Sequence, residues 1–195
     1  MKLKLAKYFT RREVRDLLIS VMAITFILSF DVYPYPHFNE LFPYFLVTIS
    51  AFLLHELAHK FVALKFNCIA YYRMWPTGLS LGLLMSLLRF KVIAPGFVEI
   101  YAYRFGRWGY RFSRLTVIEE GLISLAGPAI NLSIAAFLYL LNNPLATFVA
   151  DVNSWIALFN LLPIPPLDGS KIMKWKAWLW LIMFIIAFLF VTKII

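Results

Sequence analysis

Cysteine is almost missing from this chain. Cys68 stands alone, which excludes an internal disulfide and a cysteine-rich metal site and leaves it as a small apolar packing residue. Acidic side chains are also few: 10 Asp and Glu stand against 19 Lys and Arg. Charged residues of both signs make up only 15% of the 195 residues, while hydrophobic residues reach 62% and the mean hydropathy is +0.78. Soluble domains carry about 25% charge and are about half apolar. An ordinary soluble domain is therefore excluded, and the chain reads as one membrane-embedded domain over residues 1–195. A net charge of +9 can signal nucleic acid. Here the basic residues fall between apolar runs, where they set membrane topology, so the expected partner is the lipid bilayer and not nucleic acid.

Local absences of Lys and Arg divide the chain. Residues 1–16 are basic, with Lys2, Lys4, Lys7, Arg11, Arg12 and Arg15. The apolar run Leu17–Phe30 follows without a small-residue cleavage site, so it reads as an uncleaved first span and not a signal peptide. Asp31–Pro43 lacks Lys and Arg and reads as an extracytoplasmic loop; Tyr44–Phe66 then returns to the side marked by Lys60 and Lys65. Thr116–Leu141 reads as a third helix ended by Asn142-Asn143-Pro144, with Asp151 in the loop beyond it. A fourth helix, about Ser154–Leu162, breaks at Pro163, Pro165 and Pro166, and a last helix covers about Ala177–Val191. With a cytosolic N-terminus, four full spans leave all but Lys193 of the 19 Lys and Arg on the cytosolic side.

Residues 67–113 fit none of these spans. Leu79–Leu88 is too short to cross a bilayer as a helix. The segments Phe90–Ala94 and Phe97–Tyr101 flank Pro95-Gly96 and read as strand, turn and strand. The expected fold class is an all-α polytopic membrane protein with about four full transmembrane helices. A membrane-dipping hairpin or small β-sheet lies between helices 2 and 3.

Histidine is scarce too, and two of the three histidines lie in His55-Glu56-Leu57-Ala58-His59. On a helix, His55 and His59 are one turn apart and share a face, so both imidazoles can reach one metal ion. Glu56 is placed to take a proton from an attacking water, the zinc-hydrolase pattern H-E-x-x-H. The flanks Ile49–Leu54 and Phe61–Leu64 are apolar or nearly so, and ionisable groups in such a segment are expected to be functional. His55 lies about 16 Å along the helix from Tyr44 and His59 about 6 Å further, between the bilayer midplane and the cytosolic face.

A catalytic zinc ion takes three protein ligands and keeps one position open. His37 and Asp151 fall on the wrong side, while Glu99, Glu119, Glu120 and Asp168 remain. Asp168 is favoured over Glu119 and Glu120, because the prolines and Gly169 around it suit a carboxylate held at a defined point in a cavity.

Three motifs together carry a family resemblance. His55-Glu56-Leu57-Ala58-His59, Ala126-Gly127-Pro128-x-x-Asn131 and Asn160-Leu161-Leu162-Pro163 running on to Leu167-Asp168-Gly169 resemble, in order and helix placement, those of the site-2 proteases. These are zinc intramembrane proteases, and the resemblance covers roughly residues 44–171. It implies one Zn²⁺ per chain held by His55, His59 and Asp168, with Glu56 as the catalytic base. Asn160 and Asn131 become candidates for contact with the substrate backbone or the oxyanion; the alternative for both is hydrogen bonding between helices. The implied substrate is a single-span membrane protein, cut within the bilayer. The implied location is the cell membrane, with the active site towards the cytosol. Neither a PDZ domain nor CBS domains are seen in the chain, which reads as a minimal member or a trimmed piece. Rival readings are a non-catalytic relative that binds membrane helices, a metal transporter, and a zinc membrane protease with a glutamate as third ligand.

Overall fold

The computed structural model describes residues 8–30, 41–88, 90, 95–106 and 109–193. Its helices are α1 (Arg11–Ser29), α2 (Leu41–Lys65), α3 (Pro76–Leu87), α4 (Val117–Tyr139), α5 (Pro144–Asn160), α6 (Asp168–Trp175) and α7 (Ala177–Thr192). Its strands are β1 (Cys68–Met74), β2 (Gly96–Gly106) and β3 (Gly109–Ser113). The chain divides into two compact units, Met1–Ile49 with Tyr71–Glu99, and Ser50–Ala70 with Ile100–Ile195.

In the first unit, α1 packs against the start of α2 and against α3. Thr10 caps α1 and forms a reciprocal capping box with Glu13, which satisfies backbone donors that a helix start otherwise leaves open. Glu13 is fully buried and also ties α1 to β1, since its Oε1 accepts from the Tyr72 backbone N–H at 3.0 Å. The Tyr72 hydroxyl in turn donates to Ser20 Oγ at 2.8 Å. Gly96 has φ +152°, and a Cβ there would run into the Arg73 carbonyl, so glycine is required where β2 begins.

In the second unit, α4 is the central element. It packs against the C-terminal part of α2 and against α5 and α6, while α7 covers α5 and α6. Thr116 and Glu119 form a capping box at its start. Leu132, Ala157, Leu161, Ile172 and Ala187 form a buried apolar cluster, completed by Trp180, Met183 and Phe184 of α7. Trp180 also donates its indole N–H to the Leu161 carbonyl at 2.7 Å, one of the acceptors left open where α5 ends.

The small sheet between α2 and α4 is present, with strand order β1-β2-β3. The hairpin among its described residues joins β2 and β3. β2 starts at Gly96 and pairs antiparallel with β3, from Ala102↔Ser113 through Arg104↔Arg111 to Gly106↔Gly109. The strand expected over Phe90–Ala94 lies largely outside the described residues.

Among the described residues, two helices are long and apolar enough to cross a membrane, Leu41–Lys65 and Val117–Tyr139. Of the four full spans expected, these two are seen among the described residues. The 17 residues of α5 and the 16 of α7 rise only about 24–26 Å, short of a hydrocarbon core of about 30 Å. Asp151 also moves from a loop into α5. Asn143 Oδ1 accepts from the N–H groups of Leu145 and Ala146, and Pro144 occupies the first helical position, so the Asn-Pro pair starts a helix as well as following one.

Candidate metal centre

Helix α2 is not uniform. Leu41–Val47 is α-helical, Thr48–Leu53 is a π-helical stretch, and Leu54–Lys65 is α-helical again. The motif lies in the first two turns of that last part. His55 and His59 are buried there, their rings edge to face with centroids 4.6 Å apart. The Nε2 atoms face each other at 3.0 Å.

Asp168 reaches them from the first residue of α6. Its Oδ2 lies 3.1 Å from His59 Nε2 and 3.5 Å from His55 Nε2. Gly169 makes this approach possible, since a Cβ at that position would collide with the Leu161 carbonyl group. The residue that caps α6, Leu167, makes no side-chain cap, and the Asp168 carboxylate faces the imidazoles.

The second imidazole has its proton fixed. His59 Nδ1 lies 2.7 Å from the carbonyl oxygen of Ile123, which can only accept, so Nδ1 carries the hydrogen and Nε2 presents a lone pair. That lone pair points at His55 Nε2 and at a carboxylate oxygen. These three atoms converge within 3.0–3.5 Å, an arrangement that a proton or a metal cation among them stabilises. Ligand atoms about 2.0–2.1 Å from a tetrahedral zinc ion are about 3.3–3.4 Å apart, so the observed triangle has the size that zinc requires. Among the described residues, His55, His59 and Asp168 are the group of three that could hold a metal ion.

One face of α4 runs along the motif as a ladder. Ile123 offers its carbonyl to His59. Gly127, one turn on, lies so close to both rings that a Cβ would overlap His59 Nε2 and His55 Nε2. Asn131, a turn further, is fully buried and donates Nδ2–H to the Ala51 carbonyl at 3.0 Å. Asn160 is half-buried and donates to the Ile156 carbonyl of its own helix at 2.9 Å. Glu56 is half-buried beside the histidines, and His55, His59, Asp168 and Lys171 all act on its carboxylate electrostatically.

Glu119, the rival ligand, is engaged elsewhere: its Oε2 accepts from the Thr116 N–H at 2.8 Å and from the Thr116 hydroxyl at 2.7 Å. Glu120 is half-buried and outside the candidate group. Three participants escaped the sequence reading. The Ile123 carbonyl has no side-chain signature. Gly127 was read only as a helix-packing residue. Asn153, whose Nδ2 lies 2.9 Å from Ser50 Oγ, sits in a segment partly read as a loop.

A buried two-histidine, one-carboxylate centre with a further carboxylate at its side defines a metal-dependent hydrolase. Comparison with known proteins names the family. The chain is 39% identical over 186 residues to a protein of Methanocaldococcus jannaschii provisionally named a zinc metalloprotease, covering 89% of this chain and 90% of that one. A Bacillus subtilis protein with the same provisional name is 35% identical over 161 residues, 69% of each chain. A third, Rip2 of Mycobacterium tuberculosis, is 31% identical over 150 residues, 64% of this chain and 55% of that one. No family model and no solved structure matches. The chain belongs to this family of zinc metalloproteases, and zinc is its metal.

Proposed function

We propose that the chain is an intramembrane endopeptidase of the site-2 protease type, which hydrolyses peptide bonds within the transmembrane segment of a single-span substrate. The observation that carries this reading is the position of the donors. Two of the three, His55 and His59, belong to a helix of 25 residues that is long and apolar enough to cross a membrane. His55 lies about 21 Å along it from Leu41, and His59 about 9 Å before Lys65, so the centre is reached from within the hydrocarbon region. A peptide bond at that depth belongs to a membrane segment.

In this reading His55 and His59, through Nε2, and Asp168, through Oδ2, hold the zinc ion, and Glu56 is the catalytic base. Bound zinc supplies Lewis-acid polarisation of the scissile carbonyl and favours deprotonation of the attacking water. Glu56 takes one proton of that water as its oxygen bonds to the carbonyl carbon. As the C–N bond breaks, Glu56 returns the proton to the leaving amine nitrogen, so the carboxylate is regenerated. Ile123 holds the proton on His59 Nδ1 throughout, which keeps Nε2 available to the metal. The substrate helix must unwind locally before its carbonyls are accessible. An unwound segment is a natural added strand, and β1 and β3 are the edges of the small sheet that offer a place for one. The chain lies in the cell membrane with its N-terminus and the centre towards the cytosol, which fits the distribution of Lys and Arg.

The test is cleavage of single-span substrates by the purified protein in liposomes, with the cut site mapped. Glu56→Gln should lower the rate by about 10²–10⁴-fold. It should leave zinc bound, and a chelator should abolish cleavage of the parent protein. Cuts confined to segments outside the bilayer, or an undiminished rate in Glu56→Gln, would overturn the reading.

A further inference from the structure

Two fully buried asparagines from different helices converge on consecutive residues just ahead of the motif. Asn131 of α4 donates to the Ala51 carbonyl at 3.0 Å, and Asn153 of α5 donates to Ser50 Oγ at 2.9 Å. Ser50 and Ala51 lie inside the π-helical stretch Thr48–Leu53, which runs directly into Leu54 and His55. A π turn holds one more residue than an α turn. Since each residue of an α-helix advances about 100°, the turn rotates the residues after it by about that angle relative to an uninterrupted α-helix. The direction in which His55 and His59 point therefore depends on this turn persisting. π turns are rare and occur mostly as single-turn interruptions, so one lasts where the surroundings hold it.

We propose that Asn131 and Asn153 are positioning residues for the zinc centre, acting by bracing the π-helical turn that aims His55 and His59. The brace and the centre share one support. α4 offers Ile123 and Gly127 to the histidines and Asn131, one turn on, to Ala51, so it fixes the rings and the turn before them against the same face. Asn153 adds a hold from α5 and anchors its own amide to its helix through Val149 at 2.8 Å. The Asn131 Nδ2–H is thus directed at the protein's own backbone. Among the described residues, the opposite amide oxygens of both have no hydrogen-bond partner. A purely stabilising role would not favour two half-satisfied amides in an apolar setting, whereas a role in specifying one backbone geometry does.

The proposal rests on His55, His59 and Asp168 being the zinc ligands, and its test reads metal binding rather than cleavage. Full-length protein is stripped of metal and titrated with Zn²⁺. The visible spectrum of the Co²⁺-loaded form reports ligand geometry, and thermal unfolding is followed with and without zinc. Asn131→Leu and Asn153→Leu keep the side-chain volume and bury no new charge. Each should raise the zinc Kd by about tenfold, the effect typical of lost support behind metal ligands. Each should also alter the Co²⁺ spectrum and shrink the rise in unfolding temperature that zinc gives, while the metal-free unfolding temperature stays near the parent value. Ser50→Ala, which removes the hydroxyl that accepts from Asn153, should reproduce the Asn153→Leu effect and add little to it in the double variant. If either asparagine variant fails to fold, Ser50→Ala carries the test. Parent-like zinc affinity and Co²⁺ spectra in the folded variants would overturn the proposal, including the case in which cleavage alone is lost and Asn131 proves to be a substrate contact. A parent protein that binds no zinc would overturn the ligand assignment itself and this proposal with it.

Discussion

The starts of α4 and α6 each carry an acidic residue in the first turn, and the two carboxylates have opposite fates. At α4 the capping residue is Thr116, and Glu119 closes a capping box with it. At α6 the capping residue is Leu167, which has no polar side chain, and Asp168 turns to the histidines. A carboxylate near a helix start is favoured by the helix dipole in either case. What separates the two is position: Glu119 is the third residue of its helix, where it reaches back to the cap, and Asp168 is the first of its helix, within reach of both imidazoles.

The largest effect should come from breaking the contrast directly. Asp168→Ala removes one of three donors and leaves the two imidazole lone pairs without their anionic partner, so zinc should be lost from the purified protein and proteolysis with it. Glu119→Ala should leave zinc at one ion per chain. Metal content by mass spectrometry checks both. Full zinc in Asp168→Ala, or loss of zinc in Glu119→Ala, would exchange the roles of the two acids.

The comparison sharpens at the two glycines that bring the donors together. A Cβ at Gly127 overlaps the Nε2 atoms of both histidines, and one at Gly169 overlaps the Leu161 carbonyl group behind Asp168. In Gly127→Ala the added carbon is beside the donor atoms themselves, so zinc affinity should fall by on the order of a hundredfold, at the upper end of effects from disturbed metal surroundings. In Gly169→Ala the obstruction is backbone against backbone, so stability should fall as well, by about 1–3 kcal/mol, the usual cost of overpacking. Denaturant unfolding of the metal-free forms separates the two. Equal stability loss in both would place the collision at Gly127 in the helix contact and not at the donors.

His55, Glu56 and His59 were legible because their relation is local: one helical turn fixes it, whatever the rest of the chain does. Asp168 was legible only in part. Chemistry reduced the third ligand to a few acids, and the motif resemblance chose among them. The Ile123 carbonyl and the π turn were not legible at all. A backbone acceptor has no residue type, and a π turn arises from packing on both sides of a helix rather than from local propensity. Asn143-Pro144 was misread because the same pair can follow one helix and begin the next.

The smallest effect probes the cap that removes Glu119 from the competition. Thr116→Ala deletes the hydroxyl that accepts from the Glu119 N–H and donates to its carboxylate. The loss of such a cap costs about 1 kcal/mol, and the same cost should appear with and without zinc, because α4 starts well before Ile123 and Gly127. Freed from the hydroxyl, Glu119 can still accept from the Thr116 backbone N–H, so its carboxylate stays at the helix start. Zinc affinity in Thr116→Ala should therefore match the parent protein within experimental error. In the Thr116→Ala, Asp168→Ala double variant zinc should remain absent. Zinc regained in that double variant would mean that the released Glu119 can reach the histidines, and that the cap alone, rather than the path of α4, keeps this acid from the metal.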